Sequence, residues 1–108
     1  TQDQITLQFF LNYVEFGMNI QEALDAPTVF SRHFPSSFYP RESYPGHLTA
    51  EERIPAKVIT ELESRGHIVD RSDAWTPGKP MAIRVDRKRG VISAGVSAKG
   101  NIGYGLGW

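Results

Sequence analysis

The chain has 108 residues, enough for one domain with a modest core, and its twelve basic and twelve acidic side chains cancel. That balance gives no electrostatic reason to expect nucleic acid or an anionic membrane as partner. The absence of cysteine excludes a disulfide framework, a thiolate nucleophile and a zinc ribbon, and no apolar run approaches the ~20 residues that span a bilayer.

Residues 5–16 place Ile5, Phe9, Phe10, Leu11, Val14 and Phe16 at three- and four-residue steps, which predicts a helix with one wide apolar stripe. Gly17 supplies a left-handed position to end it. Asn19 followed three residues later by Glu22 predicts a capped second helix, with Ala23 and Leu24 pointing inward and Ala26-Pro27 closing it. Residues 28–31 read as a short strand. Residues 32–46, rich in proline, serine and aromatics, read as an ordered crossing loop, and residues 47–53 as a second strand weakened by Glu51-Glu52.

Pro55 suits the first turn of a helix whose buried face is Val58, Ile59 and Leu62. Gly66 ends it before a strand at residues 67–70, and a loop with Trp75 follows. Residues 81–86 and 91–96 form a predicted hairpin closed by Arg87-Lys88-Arg89-Gly90, with Gly90 at the position that needs positive φ. The last twelve residues carry four glycines and read as a close-packed strand or coil. No repeat or domain boundary interrupts the pattern, so residues 1–108 are expected to form a single domain fragment of the α+β or layered αββα class.

Few residues advertise chemistry. His33, His47 and His67 lack metal-ligand spacing and read as structural or solvated. Glu51-Glu52 and Glu61/Glu63 read as solvated surface. Asp70, Asp73 and Asp86 read as local backbone caps, and Arg84 with Arg87-Lys88-Arg89 as a solvated basic turn. A terminal threonine can use its own amine as base, but the pattern after Thr1 is helical and no catalytic residue is expected in this chain.

The string Phe16-Gly17-Met18-Asn19-Ile20-Gln21-Glu22-Ala23-Leu24-Asp25-Ala26-Pro27 resembles a segment of the gamma-glutamyltranspeptidase family, N-terminal-nucleophile hydrolases with a threonine nucleophile. The resemblance extends in order through Arg53-Ile54-Pro55, Leu62-Glu63-Ser64-Arg65-Gly66-His67 and the hairpin. His33-Phe34-Pro35-Ser36-Ser37-Phe38-Tyr39-Pro40-Arg41 looks like a segment of acylase-like members. The chain departs from the family at residues 93–99, where many members carry a Ser-Asp-Pro-Arg type string, and at residues 79–83.

The resemblance implies the C-terminal portion of a small subunit: a partial αββα sandwich that needs the large subunit and the rest of the small subunit as partners, with no metal or organic cofactor. It implies a parent enzyme that matures by self-cleavage and transfers the gamma-glutamyl group of compounds such as glutathione to water or an amine. The nucleophile would lie before residue 1, and a Gly-Gly pair serving the oxyanion would directly precede Thr1. Thr1, Gln2, Asp3 and Gln4 would then border the substrate pocket without belonging to the reacting set. The isolated chain is expected to be inactive and to expose an apolar sheet face that drives it to dimerise or aggregate. Two alternatives stand beside this reading, a non-catalytic binding or assembly module on the same scaffold and an acylase acting on glutaryl-type amides.

Overall fold

The computed structural model describes residues 1–100 and 103–107. Its elements, in order, are α1 (Gln2–Val14), α2 (Ile20–Asp25), β1 (Val29–Ser31), β2 (His47–Glu51), α3 (Ala56–Ser64), β3 (Ile68–Ser72), β4 (Met81–Asp86) and β5 (Val91–Val96). The α+β class expected from the sequence is what the chain forms. Its contacts fall into two compact units, one made of Pro27–Thr76 with Thr1, the other of Gln2–Ala26 and Pro77–Trp108.

In the Pro27–Thr76 unit, three strands form a sheet in the order β1-β2-β3. β1 runs antiparallel to β2, pairing Val29 with Ala50 and Ser31 with Leu48. β2 runs parallel to β3, pairing His47 with Ile68 and Glu51 with Ser72. Parallel neighbours need a crossover connection, and α3 supplies it, packing against β3. Pro55 stands one residue outside α3 as its N-cap, and Gly66 follows the helix at φ +94°. Of the expected buried face only Ile59 is deeply buried, while Leu62 is half-buried and Val58 is exposed.

In the other unit, α1 closes as the sequence predicts: Gly17 adopts φ +69°, and the Met18 amide donates back to the Asn12 carbonyl at 3.1 Å. Asn19 and Glu22 form a reciprocal capping box. The Glu22 amide donates to Asn19 Oδ1 at 2.9 Å, and the Asn19 amide to Glu22 Oε2 at 2.9 Å. β4 and β5 form a hairpin with Met81 opposite Val96, Ile83 opposite Ala94 and Val85 opposite Ile92. The Arg87-Lys88-Arg89 turn is solvated as expected, with Asp86 Oδ1 accepting from the Lys88 and Arg89 amides and Gly90 at φ +67°.

β4 and β5 pair only with each other among the described residues. α2 packs against β4 and β5, and α1 packs chiefly against α2. The reason lies at Gly95. A Cβ there would sit 2.6 Å from Ile20 and 2.7 Å from Leu24, so α2 rests directly on bare backbone. Leu24 (1% exposed) and Ile20 fill that contact, and Ala23 is buried as expected. Asn101, Ile102 and Trp108 lie outside the described residues. Residues 103–107 are coil, with Gly105 close against the Ala94 backbone.

Candidate functional site

Of the four residues expected beside the substrate pocket, Gln2, Asp3 and Gln4 form the first turn of α1, and Thr1 immediately precedes it. Thr1, Gln2 and Asp3 are exposed and Gln4 is half-buried. The first amides of a helix have no carbonyl partner within it, and with the macrodipole they favour negative charge at that end. Two side chains brace the turn from below: Thr6 Oγ1 donates to the Gln2 carbonyl and Gln8 Nε2 to the Gln4 carbonyl, both at 3.0 Å. The turn can orient amides toward an anionic group. It holds no nucleophile–base pair of its own.

The exit of β5 is held by α2. Gln21 Nε2 donates to the Val96 carbonyl at 2.9 Å and to Asp25 Oδ2 at 2.8 Å, while Asp25 Oδ1 accepts from the Ala98 amide at 2.9 Å. Lys99, only 2% exposed, donates through Nζ to the Ala26 carbonyl at the end of α2. A buried ammonium is retained only where oxygens replace its water. This clamp occupies the stretch where the chain departs from the family string, and no spacing rule in the sequence announces it.

Glu51 is the largest departure from the sequence reading. Its neighbour Glu52 is exposed as expected, but Glu51 is completely buried at the end of β2. Glu51 Oε2 accepts from the Thr28 amide at 3.1 Å, and Oε1 accepts from the Trp75 amide at 2.8 Å and from Arg53 Nε. The Arg53 guanidinium lies 3.7 Å from the centre of the Trp75 ring. Charge-assisted bonds of this kind are what allow a carboxylate to be buried at all. One carboxylate thus joins the start of β1, the end of β2 and the Trp75 loop. Alternation gives no signal here, since a residue following buried Ala50 in a strand is expected on the opposite face.

His47 and Asp70 also meet, at 3.0 Å between Nδ1 and Oδ2, with Arg32 beside Asp70 and stacked on Tyr44. Asp70 is therefore a cross-strand partner and not a backbone cap. Among the described residues, no group of three or more His, Asp or Glu side chains is arranged to hold a metal ion. An open groove of about 530 Å³ runs between the hairpin and the C-terminal coil, lined by Gly90, Ile92, Ala94, Gly105, Leu106 and Gly107. Its lining has no titratable side chain and offers only apolar surface and backbone.

No curated protein matches the sequence. Solved structures do. The protein LmbA2991 is 38% identical, with a TM-score of 0.90, over 98% of this chain and 19% of its own. A cephalosporin acylase from Bacillus halodurans is 25% identical, with a TM-score of 0.71, over 88% of this chain and 16% of its own. A gamma-glutamyltranspeptidase from Pseudomonas nitroreducens shares the fold at 21% identity, with a TM-score of 0.71, over 96% of this chain and 48% of its own. In each case this chain spans less than half the length of the relative. The sequence profile of the family described as Gamma-glutamyltranspeptidase matches residues 1–105, and by that match the chain belongs to the gamma-glutamyltranspeptidase family.

Proposed function

We propose that this chain is the C-terminal portion of a longer enzyme that cleaves gamma-glutamyl amides, glutathione among them. A threonine outside this chain attacks the amide carbonyl, the C–N bond breaks, and the amine leaves with a proton. Water or a second amine then takes the acyl group from the threonine ester. The observation that carries this reading is the family match over residues 1–105.

In that enzyme the chain contributes structure and one end of the site. Thr1, Gln2, Asp3 and Gln4 stand beside the substrate pocket, where the first turn of α1 favours the negative charge that develops on the carbonyl oxygen. The β1-β2-β3 sheet and the hairpin form part of an αββα sandwich completed by the remainder of the enzyme, with the large subunit and the rest of the small subunit as partners. Support for such covering comes from the hairpin itself, whose Met81, Ile83, Val85 and Ile92 share one face and are between 61% and 74% exposed.

The test compares the longer protein with the 108-residue chain on a gamma-glutamyl anilide. Turnover by the longer protein and none by the chain is expected. Turnover by the chain alone, or none by the longer protein, overturns the reading. The His33 to Arg41 string and the 25% identity to a cephalosporin acylase favour one second reading, the same machinery acting on a glutaryl-type amide. A higher kcat/KM on a glutaryl anilide than on the gamma-glutamyl one would decide for it.

A further inference from the structure

α1 offers Leu7, Phe10, Leu11 and Val14 to its surroundings, all more than a third exposed, and buries only Ile5. Ile5 is thus the one deeply buried side chain in the first half of the helix. That side chain ends in a socket made by a missing one. A Cβ on Gly78 would lie 2.5 Å from Ile5 Cδ1 and 3.2 Å from Ile5 Cγ2. Gly78 holds φ +92°, a conformation other residues adopt only under strain. Two residues further on, the Pro80 carbonyl accepts from the Ser97 amide at 3.1 Å, which ties the socket to the end of β5.

We infer that Gly78 is a positioning residue for the reaction, acting through Ile5 to set where the first turn of α1 points its amides; this rests on the functional reading above. A helix moves as a rod, and Gln2 is only about 4.5 Å along the axis from Ile5 at 1.5 Å per residue. Ile5 is 7% exposed, so its Cδ1 has little room to swing aside, and the part of the shift that the side chain does not absorb is passed along the helix to Gln2, Asp3 and Gln4. Groups that stabilise charge in the transition state lose rate steeply when displaced, while binding of the ground state is little affected.

The experiment uses the longer enzyme with a gamma-glutamyl anilide. Gly78→Ala is expected to lower kcat roughly ten- to a hundredfold with KM changed by less than about threefold. Adding Ile5→Val removes the Cδ1 that the new methyl strikes and should recover most of that loss. Gly66→Ala is the control for backbone strain alone: Gly66 has φ +94° and nothing within 4 Å of its Cβ position, so kcat should stay within about twofold. If Gly78→Ala does not fold, Ile5→Ala decides, because it empties the socket without a clash and should lower kcat about fivefold at unchanged KM.

An active wild type whose kcat is unmoved by Gly78→Ala (or by Ile5→Ala) overturns this inference alone. So does a loss that Ile5→Val does not relieve, or one that Gly66→Ala reproduces. A wild type inactive on both anilides overturns the functional reading and this inference with it.

Discussion

Both units bury a charge, Glu51 in the one formed by Pro27–Thr76 and Lys99 in the one formed by Gln2–Ala26 with Pro77–Trp108, but the second also leaves one face of its strand pair apolar and open. In the first, Glu51 is fully enclosed and accepts from two backbone amides and Arg53. In the second, Ile83 is 74% exposed at the middle of the hairpin, with Val85 and Ile92 beside it. An enclosed carboxylate needs every donor supplied locally, so it marks an interior completed by its own residues. An apolar strand face of this size marks an interior that other residues complete. On the function proposed above, the remainder of a longer enzyme supplies those residues.

The largest effect tests the enclosed charge. Glu51→Ala strands the Thr28 and Trp75 amides and leaves Arg53 without its anion, and removal of one partner from a buried pair costs about 3–5 kcal/mol. The expected result is a large loss in denaturant stability of the longer protein, localised by faster amide exchange at Thr28 and Trp75. A loss below about 1 kcal/mol would mean that the carboxylate is dispensable and that this interior is not held by it.

Ile83→Lys tests the other side of the comparison. On the 108-residue chain the substitution replaces exposed surface with exposed surface, and should reduce self-association in light scattering without lowering thermal stability. In the longer protein the same position is expected to be covered, and losing a buried isoleucine there costs about 2 kcal/mol or more. Equal and negligible effects in both contexts would show that the face is ordinary solvent-facing surface.

This contrast explains which features the sequence disclosed. The hairpin at Met81–Asp86 and Val91–Val96, the stop at Gly17 and the Asn19–Glu22 box depend on local rules of alternation, left-handed φ and capping, and each is where those rules put it. The wide apolar stripe of α1 was equally legible, but periodicity records only that a face is apolar. It does not say whether the partner belongs to the same chain, and within this one only Ile5 finds it. Glu51, Lys99 and the Ile5–Gly78 socket were out of reach for a different reason. Each joins residues far apart in sequence, and a lone glutamate, lysine or glycine carries no local trace of that meeting. The proposal that Thr1, Gln2, Asp3 and Gln4 border a substrate pocket rests on motif order alone, since an exposed first helical turn looks the same whether or not a substrate lies beyond it.

The smallest effect separates how the two units begin their helices. α3 starts at Pro55 with no side-chain cap and relies on Ile59 against the sheet, whereas α2 has only six residues and starts with both members of its box in place. A helix this short is unstable by itself, because few bonds repay the cost of its first turn. The box satisfies two amides that the helix cannot, and Asn19→Ala removes one of them at a cost of about 1 kcal/mol. Asn19→Ser keeps an acceptor in place and should lie within a few tenths of a kcal/mol of the wild type. The difference between the two substitutions isolates the cap from general surface effects, since Asn19 is exposed. Because α2 also holds Val96, Ala98 and Lys99, fraying of its first turn should be read out as faster exchange at the Ala98 amide, 2.9 Å from Asp25 Oδ1. If exchange there is unchanged while stability falls, the clamp is independent of the cap, and α2 is held on Gly95 by Leu24 packing alone.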